Sequence, residues 1–145
     1  LQIMADNARF SVAVHILCLL AEEADRAYTS EVIAGSVNTN PVVIRRLLGM
    51  LARARLVHSI EGAGGGTALG RSPDRITLAE VYAAVDAGPL FGSPRNAPNP
   101  KCPVGRNVAQ ALAQAKQRFE RALNDEMSSV TIADVLADVR AGATP

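Results

Sequence analysis

Apolar residues recur at helical spacing along most of this chain, and short polar stretches divide the pattern into elements. From Asn7 to Glu23, Phe10, Val14, Leu17 and Ala21 repeat every three or four positions, with Ala13, Ile16 and Leu20 alongside. Such a wide stripe predicts a deeply buried helix. Asp25 to Ala27 interrupt it. Thr29 and Ser30 then offer hydroxyls to the free N–H groups of a new helix, and Glu31 suits its positive end. This second helix is short, from about Ser30 to Val37. Asn38 can take the left-handed conformation that closes it, Asn40 can cap the next helix, and Pro41 fits the first position of that helix. The third helix is expected from Pro41 to about Arg55, with Ile44, Leu47, Leu48 and Leu51 on its apolar face and Arg45, Arg46, Arg53 and Arg55 elsewhere.

Two short extended runs follow, Leu56 to Ile60 and Thr67 to Leu69, separated by Glu61 and a run containing four glycines. This predicts a β-hairpin. Pro73 to Arg75 break the chain before a fourth helix, Ile76 to Ala87, where Thr77 and Glu80 have the spacing of a capping box. Residues Gly88 to Pro103 hold five of the eight prolines and no sustained period, so they form a loop long enough to suspect a function. From Val104 to about Met127, Val104, Val108, Leu112, Ala115, Phe119, Ala122 and Met127 mark one long helical stripe. A stripe this long needs a partner, and a second copy of the chain is the simplest one. Thr131 caps a last helix, Ile132 to Arg140. No internal repeat is visible.

These elements give a mostly α fold with a small two-stranded β-wing: a winged helix-turn-helix plus a long dimerisation helix. Residues 1–87 form the expected DNA-binding domain, 88–103 a sensor or effector loop, and 104–145 the dimerisation helix and C-terminal helix. Composition agrees. Aromatic residues are 3% of the 145 and Trp is absent, which favours helices over a β-sandwich. No apolar run approaches the roughly 18 residues that would cross a bilayer. The apolar stretch Ser11 to Ala21 carries His15 and lacks a basic lead-in and a cleavage site, so it reads as a buried helix and not a signal peptide. The chain opens on Leu1 instead of Met, which suggests a trimmed or altered start. Two cysteines do not make a disulfide scaffold, and the cytoplasm is the expected location.

Net charge is only +1, so any nucleic-acid partner must be argued from local charge. Between Arg45 and Arg75 there are six arginines against two acids, Glu61 and Asp74. Such a face can neutralise phosphates. Asn40, Val42, Val43, Arg45 and Arg46 open the third helix: arginine can reach guanine edges, asparagine adenine, and valine a thymine methyl. Backbone N–H groups beside Thr29 and Ser30 can hold a phosphate. Gly64 and Gly65 allow a wing to approach a DNA backbone closely, although glycines there also serve simply to make the turn. Arg71 joins the basic face. Glu61 must be paired, for instance with Arg71, or aimed away from phosphates. Two short helices with surface arginines also occur in ordinary helical domains, and the hairpin directly after them favours double-stranded DNA as the partner.

Cys102 lies between Lys101 and Pro103 just before the long helix, with Arg106 nearby. Helix N-termini and cations favour a reactive thiolate, so an oxidant or electrophile sensor is one reading, and a small residue capping the loop is the other. Cys18 reads as core. His15 and His58 have no metal-ligand spacing, and no metal site is expected. No assembled catalytic site suggests itself, so an enzyme is not expected. Leu90 and Phe91 could instead line a small-molecule pocket against the long helix. A helical protein-interaction module that does not bind DNA is the remaining alternative, favoured by the near-neutral charge.

The run from Thr29 to Ala34, the run from Asn38 to Leu48, Leu56 with Val57, the glycines at 62–66, and Ile76 to Tyr82 together resemble the Rrf-two (BadM-type) transcriptional regulators over about Asn7 to Arg140. The resemblance implies a homodimer joined through the long helix. It also implies a recognition helix at Asn40 to Arg46 in the major groove and a wing at Gly62 to Gly66 in the minor groove. Members of that family often hold an iron–sulfur cluster on three loop cysteines. Here the loop has Cys102 alone, so no cluster is expected and the chain resembles the clusterless branch. Thr67 stands where many wings of the family carry an aromatic residue.

Overall fold

The computed structural model describes residues 2–142, with side chains from Ala8 onward. The expectation about the start at Leu1, and the last three residues of the 104–145 segment, lie outside the described residues. The elements in order are α1 (Gln2–Glu22), α2 (Ser30–Val37), α3 (Pro41–Arg53), β1 (Val57–Ile60), β2 (Gly66–Leu69), a 3₁₀ turn (Pro73–Arg75), α4 (Leu78–Ala84), α5 (Pro103–Ser128) and α6 (Ile132–Gly142). The strands pair antiparallel, from Val57 opposite Leu69 to Ile60 opposite Gly66. The mostly helical winged architecture is therefore present.

The core forms around α1. Ala13, Ile16, Leu17 and Leu20 are fully buried and share one cluster with Ile33 of α2, Ile44, Leu47 and Leu51 of α3, Leu69 of β2 and Val81 of α4. Burying each large aliphatic side chain contributes about 1.5–3 kcal/mol before entropy is counted, so this cluster sets the mutual angles of α1, α2 and α3. The caps stand where the sequence placed them. Thr29 accepts from the Val32 N–H, Asn40 from the Val42 N–H, and Thr77 and Glu80 complete a reciprocal capping box. Asn38 is left-handed at φ 62°.

The first helix starts at Gln2, earlier than the expected Asn7, and three further differences from expectation bear on the site. First, α3 stops at Arg53, because Arg55 adopts φ 62° and the Leu56 N–H reaches back to the Leu51 carbonyl at 3.0 Å. This is a left-handed helix end of the kind glycine usually supplies, with the buried Leu56 as its hydrophobic stop. Second, α4 stops at Ala84, three residues short of Ala87, and the chain then turns through positive φ at Asp86 and Gly88. Third, the 104–145 segment divides. None of the side chains along α5 is buried, whereas Ile132 and Leu136 of α6 sit in the core cluster against α1. A backbone bridge between Thr77 and Thr131 fixes the return, with the Leu78 N–H on the Val130 carbonyl and the Ile132 N–H on the Ile76 carbonyl, both at 2.9 Å.

A left-handed conformation costs a non-glycine residue roughly 1 kcal/mol or more. Arg55→Gly should therefore stabilise the protein by about 1 kcal/mol in chemical denaturation; a loss of stability would show that the arginine side chain compensates for its strained backbone.

Candidate nucleic-acid interface

With Ile44, Leu47, Leu48 and Leu51 turned inward, the 3.6-residue period turns Val42, Arg46, Gly49 and Arg53 outward along one line of α3. Val43 and Arg45 flank that line on opposite sides. Val42 is 58% exposed and Val43 42%, although nothing in the fold's own packing calls for two bare aliphatic residues there. A side chain at Gly49 would meet nothing within 4 Å, so this glycine leaves a smooth gap in the ridge without serving the interior. The turn that sets the angle between α2 and α3 is held by the Thr39 N–H on the Ala34 carbonyl at 3.0 Å and by the Asn40 side chain on the Val42 N–H at 2.8 Å. That bond commits one of the two polar groups with which Asn40 could read adenine. Thr29 likewise commits its hydroxyl to the Val32 N–H at 3.2 Å, and Ser30 stands half-buried at the first position of α2.

The arginines differ in what holds them. Arg46 makes no ion pair among the described residues. Arg45 donates from Nη2 to Glu31 Oε1 at 2.8 Å, bridging α3 to the first turn of α2. Sequence reasoning assigned Glu31 to the helix end alone; no spacing rule links residues fourteen apart on different helices. Arg71 is not the partner of Glu61. It donates to Glu80 Oε1 at 2.7 Å and to the Arg75 carbonyl at 3.3 Å, while Glu61 is exposed at the base of the wing. Glu80 also accepts the Thr77 N–H at 3.0 Å. That backbone bond, opposed in part by burial and reinforced by Arg71, holds its carboxyl below the ordinary glutamate range.

The wing is shaped by its glycines. Gly62 and Gly64 have φ 90° and 76°, and a Cβ on Gly65 would lie 2.3 Å from the Ile60 carbonyl oxygen. Gly64 and Gly65 are thus required by the turn itself. Thr67 is buried on β2, and its backbone pairs in both directions with the backbone of Tyr28, at 2.8 and 2.9 Å. Tyr28 therefore seats the wing against the start of α2, a role its place between a polar break and a helix cap did not announce. His58 is exposed on β1.

The loop between α4 and α5 runs along the long helix. Phe91 meets Phe119 edge to face at 6.1 Å between ring centres, and Lys116 Nζ donates to the Gly92 carbonyl at 3.4 Å. Leu90, Phe91, Leu112, Lys116 and Phe119 line an open groove of about 380 Å³. Cys102 is exposed at the N-cap of α5, and its carbonyl accepts the Arg106 N–H at 2.8 Å. Cys18 is buried on α1, and burial, with Glu22 adding to it, pushes its thiol above the ordinary range. His15 Nε2 lies 2.9 Å from the Ser36 hydroxyl, tying α1 to α2.

The profile of the Rrf2 (Rrf-two) family, described as an iron-dependent transcriptional regulator, matches residues 6–138. This chain belongs to the Rrf2 family of transcriptional regulators. It is 41% identical over 130 residues to the Bacillus subtilis protein named HTH-type transcriptional regulator YwnA, covering 90% of this chain and 96% of that one. A solved structure described as a DNA binding protein shares 39% identity at a TM-score of 0.70, covering 88% of this chain and 98% of the other. A transcriptional regulator from Lactobacillus plantarum superposes with a TM-score of 0.75 at 26% identity, covering 91% and 89% of the two chains. These relatives are regulators and not enzymes.

The family profile's description mentions iron, and the donor set of this Rrf2 protein does not fit an iron–sulfur cluster. The loop offers the single thiol of Cys102, and Cys18 is enclosed in the core. Among the described residues no group of three or more His, Cys, Asp or Glu side chains is placed to hold a metal ion. No helix of the described residues is long and apolar enough to cross a membrane.

The lowered carboxyl of Glu80 gives a signed prediction. Its contribution to stability is complete above the ordinary glutamate value of about 4.3 and is lost as pH falls through the lowered folded-state value. Wild type should melt above Glu80→Gln at neutral pH, and the gap in Tm should close on acidification below about pH 4; a gap that ignores pH would assign the effect to packing instead.

Proposed function

We propose that this protein is a homodimeric, sequence-specific DNA-binding repressor that acts in the cytoplasm. The observation that carries the reading is the outward line of α3, where Val42 and Arg46 stand on the face opposite the buried leucines, next to a tight glycine wing. In this reading the first turns of α3 enter the major groove. Arg45, Arg46 and the Asn40 amide contact base edges, Val42 and Val43 touch thymine methyls, and the N–H groups near Thr29 and Ser30 hold a phosphate. The wing tip at Gly64 and Gly65 lies along the backbone, and Arg71, already paired with Glu80, contributes charge at its base. The unit 1–87 reads DNA, 88–103 receives the signal, and α5 joins two copies.

Support for the dimer comes from α5. It is about 39 Å long at the usual helical rise, and Val104, Val108, Leu112 and Phe119 lie exposed along one side of it. A second copy covering that side would present two recognition helices to a pseudo-palindromic site. The signal in this reading is oxidation or alkylation of Cys102, which is the thiol within reach of solvent. A small molecule seated against Leu90 and Phe91 is the second reading, supported by the groove those residues line with α5.

A binding site selected from a random duplex library, followed by fluorescence anisotropy across a salt series, tests the function. Arg46→Ala should weaken binding by about 1–3 kcal/mol. If α3 does not read DNA, the loss will be absent. Phe119→Glu should convert the dimer to monomer in analytical ultracentrifugation and lower the affinity for a two-half-site duplex far more than for a single half-site. An unchanged sedimentation coefficient would place the subunit interface elsewhere. Cys102→Ser should bind normally and no longer respond to peroxide; a retained response would show that Cys102 is not the switch.

A further inference from the structure

We infer that Glu31 is a specificity-determining residue, a brace that fixes the guanidinium of Arg45 against the base pair it reads. The inference rests on the DNA-binding function proposed above and adds a residue to it. The two side chains come from separate helices and meet through one bond, Arg45 Nη2 to Glu31 Oε1 at 2.8 Å. Both are more than half exposed, at 56% and 64%, so the pair contributes little to folding. A carboxylate is also an unfavourable group to carry in the first turn of α2, where phosphates of a bound duplex would lie. The positive end of α2 accounts for a carboxylate in its first turn, but not for the bond that carries it across to Arg45 on α3.

Arg45 lies on the flank of α3 that faces Ser30 of α2 and Ser59 and Thr67 of the wing, in a notch of about 290 Å³. An unheld arginine loses rotamer freedom when it settles on a base, and that cost weakens its preference. Glu31 removes part of the cost in advance. Its bond uses one of the five guanidinium N–H donors and leaves four, enough for a bidentate approach to guanine. The neighbouring Arg46 makes no ion pair among the described residues. Side by side on α3 there is thus one braced arginine suited to reading a base and one adaptable arginine suited to either base or phosphate.

The test uses the full chain and a random duplex library, comparing wild type, Arg45→Ala, Glu31→Ala, Glu31→Gln and the Glu31→Ala/Arg45→Ala double variant at one salt concentration. Melting curves confirm that each is folded. The expected result is a guanine preference at one base pair per half-site that Arg45→Ala removes. Glu31→Ala should flatten the same position and no other, with about tenfold weaker binding to the best site. Glu31→Gln, which keeps an acceptor, should retain most of the preference, and the double variant should be no worse than Arg45→Ala. Two results overturn the inference: an even rise in affinity for all sequences in both Glu31 variants, which would make the carboxylate a simple repellent, or an unchanged profile in Glu31→Ala. A wild-type protein that selects no sequence at all would refute the DNA-binding function itself and take this inference with it.

Discussion

Everything on the outward surface of α3, proposed above to face DNA, depends on how the inner stripe of that helix is seated against α1. Ile44, Leu47 and Leu51 are fully or almost fully buried in the same cluster as Ile16, Leu17 and Leu20. A helix cannot rotate about its axis without lifting such a stripe out of the core, and each large side chain lifted would cost about 1.5–3 kcal/mol. The burial of one face therefore dictates which residues occupy the other. The outward line from Val42 to Arg53 follows from the core without any contact of its own. The caps at Thr29 and Asn40 then set the start of each helix, and Tyr28 sets the wing by pairing with Thr67.

The same reasoning separates α5 from the rest. Each other helix contributes at least one buried side chain to the monomer, while α5 contributes none among its 26 residues. Its stripe is repeated too regularly to be incidental, and the loop that precedes it covers only part of it, through Phe91 on Phe119. A single copy thus leaves α5 without a buried side chain, which is what the proposed second copy would supply.

Much of this could be read from the chain because the signals were local. Asn38, Asn40 with Pro41, and Thr77 with Glu80 act within four residues, and their geometry follows from backbone chemistry alone. Where the sequence misled, the cause was distant or unusual. Arg55 takes a conformation that glycine normally marks, so α3 appeared two residues longer. Tyr28 joins the wing by pairing with a strand 39 positions away. Arg71 chose Glu80 over Glu61, because the capping box had already placed that carboxylate beside it. Glu31 with Arg45 is another case, a contact set by the angle between two helices. The family could be recognised from motif spacing, while pairings between residues on different elements depend on tertiary geometry.

The bridge between Thr77 and Thr131 ties the far end of α5 directly to the backbone beside the wing's exit, and α6 then inserts into the core next to α1. The long helix is thereby anchored at its foot, while the proline-rich loop lies along it and touches it at Lys116 and Phe119. If two copies join along α5 as proposed, a displacement at the Cys102 end of that helix would be carried toward the foot where Thr131 meets Thr77 and α6 enters the core.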